Sequence, residues 1–321
     1  MPSVSVVIPS FNARPWLAEA VRSARVQSLA PVEVIVVDDG STDGSVEAAR
    51  EAGATHVLSD GTNRGPGGTR NRGIHAASGN LVAFLDADDR WLPDHLARSA
   101  GCLERHPDAD VAFSGYRLFG DSELDLPSAV ASDRALDLSV ELLDVNHVLQ
   151  SAAVARRSAL LAVGGYDEAR RYSEDFELWL RLSLTSKFVA TGAITVEYRT
   201  HPGQVTARPG RMYQGAWEAR ASHLARLLQR HPAERAALSA LLQRRWEADL
   251  KVAWRERDDG VLKSVLALDR FVPDSGPIAA RWRRRLWLQR PAWRALAWVY
   301  DRVPMLRRWA GRQRDKGGRR E

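Results

Sequence analysis

The chain has 321 residues, enough for one large domain with an appendage or for two modest domains. Its 45% hydrophobic and 27% charged content is ordinary for a soluble globular protein. A single cysteine, Cys102, excludes an intramolecular disulfide and fits a reducing compartment. No window approaches the roughly 20 apolar residues of a spanning helix, and "MPSVSVVIPSFN" lacks the basic and apolar regions of a signal peptide. The expectation is a cytoplasmic protein that meets a membrane, if at all, from the side. Charge is uneven: residues 281–321 hold 14 Lys+Arg against three acids, net +11, which leaves −5 for residues 1–280 of a +6 chain.

Four β-branched apolar runs read as strands: Val4–Ile8, Val34–Val37, His56–Leu58 and Leu81–Leu85. Continuous Val/Ile runs suit strands buried on both faces, as in a parallel sheet. Helical spacing recurs at Trp16, Leu17, Ala20, Val21 and Ala24, and residues 46–51 and 70–77 also read as helices. This alternation predicts an open α/β sheet, whose ligands bind outside the carboxyl ends of the strands. Four polar clusters then share one rim: "PSFN" (9–12), "DDGSTD" (38–43), "TNRGPGGTRNRG" (62–73) and "DADD" (86–89). Further on, 95–106 reads as helix, 111–113 as strand and 120–135 as loop. Phe176, Trp179, Leu180 and Leu184 predict an amphipathic helix over 174–184, and 194–206 reads as a strand running into a loop. From about 212 the pattern is helical with proline breaks, which predicts domains 1–211 and 212–321.

Each cluster has a bland reading. "DDGSTDGS" could be a turn with Asp43 or Ser45 capping the next helix, or a carboxylate that accepts a hydrogen bond from a nucleobase. The glycine-rich stretch is neither a P-loop nor a dinucleotide fingerprint, yet a helix start bearing Arg70 and Arg72 suits a diphosphate. Three carboxylates, Asp86, Asp88 and Asp89, at one strand end exceed what a helix cap requires. Like charges there repel, and a divalent cation (Mg2+ or Mn2+) bridging to a substrate phosphate relieves them. "SEDF" could be an N-cap, Ser173, with Glu174 and Asp175 complementing the helix dipole, or a rigid mount for a catalytic carboxylate. His201 could be a solvated loop histidine or a ligand.

In this order the clusters resemble the family 2 glycosyltransferases with their GT-A fold. The matching segments are "VSVVIPSFN", "VEVIVVDDGSTDGS", "NRGPGGTRNRGI", "GNLVAFLDADD", "VGGYDE", "SEDFELWLRL" and "YRTH". The resemblance spans residues 3 to about 205 and implies sugar transfer from a nucleoside diphosphate donor to an acceptor hydroxyl, usually with inversion. It implies a nucleotide-sugar site at Pro9, Asp38, Asp39, Arg70, Asp86 and Asp88, with Asp39 reading a uracil-type base. It also implies a Mn2+ or Mg2+ site at Asp88 with Asp86, Asp89 and His201. Asp175 falls at the general base, with Glu174 steering it, while Trp91, Gly165, Tyr166 and Asp167 fall on the acceptor side. The "QxxRW" motif of processive members is missing, which points to single-sugar transfer onto a glycan, lipid-linked or envelope acceptor.

Five tryptophans among many arginines mark the tail: Trp282, Trp287, Trp293, Trp298 and Trp309. Trp293, Leu296, Ala297 and Tyr300 form a helical stripe. Residues 277–314 could pack as a helical subdomain or lie on an anionic membrane, with nucleic acid the weaker reading. The last ten or so residues have a disordered composition. Two rival functions stay open, a sugar-1-phosphate nucleotidyltransferase and a catalytically idle binding protein. The first wants a basic glycine-rich loop after the first strand, where "PSFNARPW" stands.

Overall fold

A computed structural model describes residues 2–128, 134–202, 209–255 and 259–288. The chain divides into two compact units, 1–242 and 243–321. The first unit begins β1 (Val4–Ser10), α1 (Arg14–Arg25), β2 (Glu33–Asp38), α2 (Ser45–Glu51), β3 (His56–Leu58), α3 (Gly65–Ala76) and β4 (Leu81–Phe84). It continues with β5 (Arg90–Trp91), α4 (His95–Arg105), β6 (Ala109–Gly120), β7 (Leu124–Leu126), α5 (Glu141–Asp144) and β8 (Ala153–Arg156). Helices α6 (Arg157–Ala162) and α7 (Glu174–Ser183), strand β9 (Lys187–Thr200) and helix α8 (Pro209–Arg230) complete the body. Helix α9 (Arg235–Arg255) contains the point of division, and α10 (Asp259–Leu266) and α11 (Gly276–Leu288) follow.

The sheet runs β3-β2-β1-β4-β8-β6-β9-β5, with β7 added on β6. Strands β1, β2, β3 and β4 are mutually parallel, and β8 pairs antiparallel with β4 and β6. The strand period of two sorts the core into two layers. Val4, Val6, Ile8, Val34 and Val36 pack with Leu17, Ala20, Val21 and Ala24 of α1 on one face. Val7, Ile35 and Val37 pack with Ile74 of α3 and Phe176, Trp179 and Leu180 of α7 on the other. The apolar stripe expected of residues 174–184 is therefore the face that α7 buries.

Three boundaries differ from the sequence expectation. Helix α3 opens at Gly65, not Arg70, so the glycine stretch is its first turn. Gly73 makes this fit possible, because a Cβ there would lie 2.3 Å from Cγ1 of Val7. Strand β6 runs through residues 114–120, where register shifts around Gly115 break the alternation that marks a strand. The first unit ends at 242 rather than 211, because α8 packs on α7 within it: Ser173 Oγ donates to the Met212 carbonyl at 3.2 Å.

In the second unit, Trp246 donates its indole N–H to the Val265 carbonyl at 2.8 Å. Trp282 is buried edge-on to Trp254, with ring centroids 5.7 Å apart, and Arg285 lies 4.9 Å over its ring. Trp282 is thus a core residue, while Arg283, Arg284 and Arg285 are exposed on α11. Trp287 is assigned to α11 without a described side chain, and the other tail tryptophans, with the 293–300 stripe, lie outside the described residues. No described helix is long and apolar enough to cross a membrane.

Candidate active site

The carboxyl ends of β1, β2 and β4 bring the predicted clusters to one rim. Pro9 and Ser10 close β1, and Phe11 beyond them stands 55% exposed. Asp38 is buried and accepts from the Gly40 amide (3.2 Å), the Ser41 amide (3.2 Å) and the Ser59 hydroxyl (2.9 Å). Asp39 accepts the amides of Arg64 at 2.5 Å and Gly65 at 3.0 Å. From across the rim it does what an N-cap does, satisfying orphan N–H groups at the start of α3. Each Asp39 oxygen thus takes one backbone amide at the start of α3. Asp43 clamps two more helix starts, accepting from the amides of Arg14 (3.0 Å) and Ser45 (3.0 Å).

The three acids after β4 each have a separate protein partner. Asp86 Oδ1 accepts from Arg70 Nη2 at 2.6 Å, and Asp88 Oδ2 lies 3.1 Å from His201 Nε2. Asp89 is 1% exposed and accepts from the Ser151 hydroxyl at 2.6 Å and the Arg199 amide at 2.9 Å. Burial, then the charges of Asp88 and Asp86, push the Asp89 carboxyl well above its ordinary range. Burial and the Asp86 charge also raise Asp88. Arg199 further ties the turn down by donating from Nε to the Asp88 carbonyl at 2.8 Å. Trp16 lies against the His201 imidazole, with centroids 4.2 Å apart and the rings tilted by 35°.

These contacts test a divalent site. Asp88 and His201 fit, being a carboxylate and an imidazole converging at the rim with raised negative charge beside them. Among the described residues no group of three or more His, Cys, Asp or Glu surrounds one point. A cation held here would therefore draw most of its shell from water and substrate oxygens, as Mg2+ and Mn2+ commonly do. Of the other two residues in the set that the resemblance implies, Asp89 accepts from Ser151 and Arg199, and Asp86 gives one oxygen to Arg70.

Helix α7 supplies the other half of the site. Ser173 sits at its N-cap with a left-handed φ of 55° but makes no side-chain cap, its hydroxyl being turned to Met212. Glu174 is 9% exposed and accepts from Arg70 Nη1 at 2.7 Å. Asp175 beside it is part-buried, and its carboxyl is pushed up to about 7 by burial and by the charge of Glu174, with Arg70 opposing. Arg70 is 6% exposed with both terminal nitrogens on carboxylates, so it is not displayed towards a diphosphate as the resemblance implies.

The acceptor-side set separates. Trp91 is 4% exposed, donates to the Ser151 carbonyl at 2.7 Å and stacks on His95, so it belongs to the core. Tyr166 is also buried, edge-on to Phe84, with its hydroxyl accepting from Gln150 Nε2 at 2.8 Å. Gly165 is buried with φ +67°, and only Asp167 is exposed. Ser151, Asn71, Arg199 and Arg181 escaped the sequence reading. Asn71 grips the Tyr166 backbone at both N–H and carbonyl, and Arg181 holds the carbonyls of Val163 (2.5 Å) and Gly165 (2.6 Å). Asn71 and Arg199 adjoin residues singled out above, but nothing in their spacing marks contacts 95 and 110 residues away in sequence.

Residues 5–164 match the family model described as glycosyl transferase family 2. An uncharacterized glycosyltransferase of Rickettsia typhi is 28% identical over 211 residues, 64% of this chain and 66% of the relative. The chain thus spans just under two thirds of that relative's length. The Escherichia coli UDP-Glc:alpha-D-GlcNAc-diphosphoundecaprenol beta-1,3-glucosyltransferase WfaP is 26% identical, over 64% of this chain and 81% of its own. In fold, S. aureus TarS 1-349 in complex with UDP-GlcNAc matches with TM-score 0.65 and 20% identity, over 88% of this chain and 87% of that one. Mannosyltransferase PcManGT from Pyrobaculum calidifontis, in complex with GDP-Man and Mn2+, matches with TM-score 0.58 and 18% identity, over 92% and 83%. The parallel half-sheet, its acid-bearing rim and these matches agree: the chain carries a glycosyl transferase family 2 domain on the GT-A fold.

Proposed function

We propose that this protein is an inverting, metal-dependent glycosyltransferase that moves one sugar from a UDP- or dTDP-sugar to an acceptor hydroxyl. The observation that carries the reading is Asp175. A carboxyl held near pH 7 at a rigid helix start, at the same rim as Asp88 and His201, is poised for general-base work. The donor lies along the rim between the Pro9–Asp39 side and the acidic turn. Asp88 and His201 would hold a Mn2+ or Mg2+ ion, which supplies charge stabilisation to the departing diphosphate. Asp175 takes the proton of the acceptor hydroxyl as its oxygen attacks the anomeric carbon and the bond to the diphosphate breaks. Such assistance is worth about 10²–10⁴-fold in rate.

An envelope glycan or lipid-linked acceptor is supported by the relatives, WfaP among them, which is named for a diphosphoundecaprenol-linked sugar. That acceptor class suits peripheral docking on an anionic membrane through 277–314, a reading that rests on the +11 tail. The test is thermal unfolding against nucleotides and nucleotide sugars, with and without Mn2+. UDP or dTDP species stabilise only with the metal; a response that ignores the metal would overturn the site assignment.

A further inference from the structure

Arg70 touches both halves of the site. Its Nη1 donates to Glu174 on α7 and its Nη2 to Asp86 on the acidic turn, at 2.7 and 2.6 Å. The guanidinium also lies 5.7 Å from the centroid of Tyr166, a ring pinned by Gln150 through its hydroxyl and by Asn71 through its backbone. Its Nε is buried without a hydrogen-bond partner. Stability does not explain this arrangement. One cation is sealed among three carboxylates, Asp86, Glu174 and Asp175, and buried ion pairs often do no better than apolar packing. The groups facing Asp175 are Glu174 on its own helix, Arg70 on α3, Asp86 on the acidic turn and the Tyr166 hydroxyl.

We propose that Arg70 is a positioning residue that fixes the separation between the donor rim and the base, an inference that rests on the function proposed above. A guanidinium is a planar fork whose two terminal nitrogens stand a fixed distance apart. With one carboxylate on each tip, Asp86 and Glu174 cannot drift relative to each other. Asp86 is part of the rim that receives the donor, and Glu174 is joined through one peptide bond to Asp175. The same cation stands against Asp86 and Glu174, and its charge limits how far Asp175 is raised. A direct diphosphate contact would act on donor binding; a positioning fork acts on turnover.

The test measures Mn2+-dependent UDP release from UDP-glucose and UDP-N-acetylglucosamine, and UDP binding by calorimetry, for Arg70→Lys and Arg70→Gln. Lysine keeps the charge and loses the fork. Turnover should fall about 100-fold, as for a misplacement near 1 Å, with UDP affinity unchanged and the acid limb of the pH profile in place. Glutamine loses the charge as well, and its acid limb should move to higher pH. Weakened UDP binding with unchanged kcat would overturn the inference in favour of donor contact, and full turnover in Arg70→Lys would reduce the fork to a charge. If both variants fail to fold, Glu174→Gln decides. Its acid limb should move to lower pH with UDP affinity intact, and an unmoved limb overturns the proposal. A wild-type chain that binds no UDP with Mn2+ would instead sink the functional reading itself.

Discussion

Glu33 at one end of the sheet and Asp88, Asp89 and Asp175 at the other meet burial in opposite ways. At the amino end, Glu33 opens β2 only 7% exposed. It accepts from the Ser5 hydroxyl at 2.6 Å and from the amide and hydroxyl of Ser78 at 2.7 Å each, with His56 at 3.4 Å. Burial alone would raise its pKa, but those donors outweigh it and hold the carboxyl below the usual range. At the carboxyl end, Asp88, Asp89 and Asp175 are all raised, because neighbouring acids add to the cost of burial. One end uses an acid to join β1, β2 and the turn before β4. The other assembles acids that would be cheaper apart, which is how a site built for chemistry differs from a clasp built for stability.

Substitutions should separate the two ends. Asp175→Asn is expected to have the largest effect, cutting turnover about 10²–10⁴-fold in a UDP-release assay with nucleotide binding retained. It should also stabilise the fold. An acid whose folded pKa stands above its unfolded value of 3.8 costs stability once pH exceeds that value, and the full cost is present above about 7. The variant should therefore melt higher than wild type at pH 8 and no higher at pH 4. Asp88→Ala comes next. It should abolish the Mn2+-dependent stabilisation by UDP, about 2.7 kcal/mol at 100 times Kd, read as a lost shift in Tm.

Glu33→Gln should do the reverse of Asp175→Asn. It is expected to lower stability by about 1–3 kcal/mol at pH 7 while leaving turnover per folded molecule unchanged. Because the Glu33 pKa is depressed in the fold, that stability is present above its unfolded value of 4.5 and fades as pH falls below it. Denaturant melts at pH 7 and pH 4 check this, and a pH-independent loss would count against it. The smallest expected effect on turnover is at the tail. Trp282 is core, so truncation should spare α11 and remove 289–321; binding to anionic vesicles should drop by about 1 kcal/mol per arginine removed from the surface, with donor hydrolysis intact. Unchanged vesicle binding would end the membrane reading.

Much of the sheet was legible in the sequence. The apolar runs of β1, β2 and β4 suit strands covered on both faces, and the parallel-sheet rule then puts the four polar clusters on one rim. The amphipathic stripe of α7 likewise placed Asp175 at a helix start. What failed to show was how each side chain is spent. "DDG" does not reveal that Asp39 is taken by amides 25 and 26 residues on, nor does "TRNRG" reveal that Arg70 turns inward to Glu174, 104 residues away. Crowded acids suggested a cation for want of a visible partner, and Arg70, His201, Ser151 and Arg199 are partners that only the fold brings near. For Trp91 and Tyr166 the sequence likewise hides the internal partners of the indole N–H and the hydroxyl. An aromatic in a functional stretch reads as a contact until its polar tip is found bonded inside.

The claim on which the rest depends is the protonation of Asp175 near neutrality, and it can be watched without any substrate. Carboxyl titration followed by carbon-13 NMR, as the difference between wild type and Asp175→Asn, should show one group with a midpoint at about 7. A difference signal with its midpoint near the ordinary aspartate value of about 4 would contradict the account, since a carboxylate that weakly basic is not the group we describe.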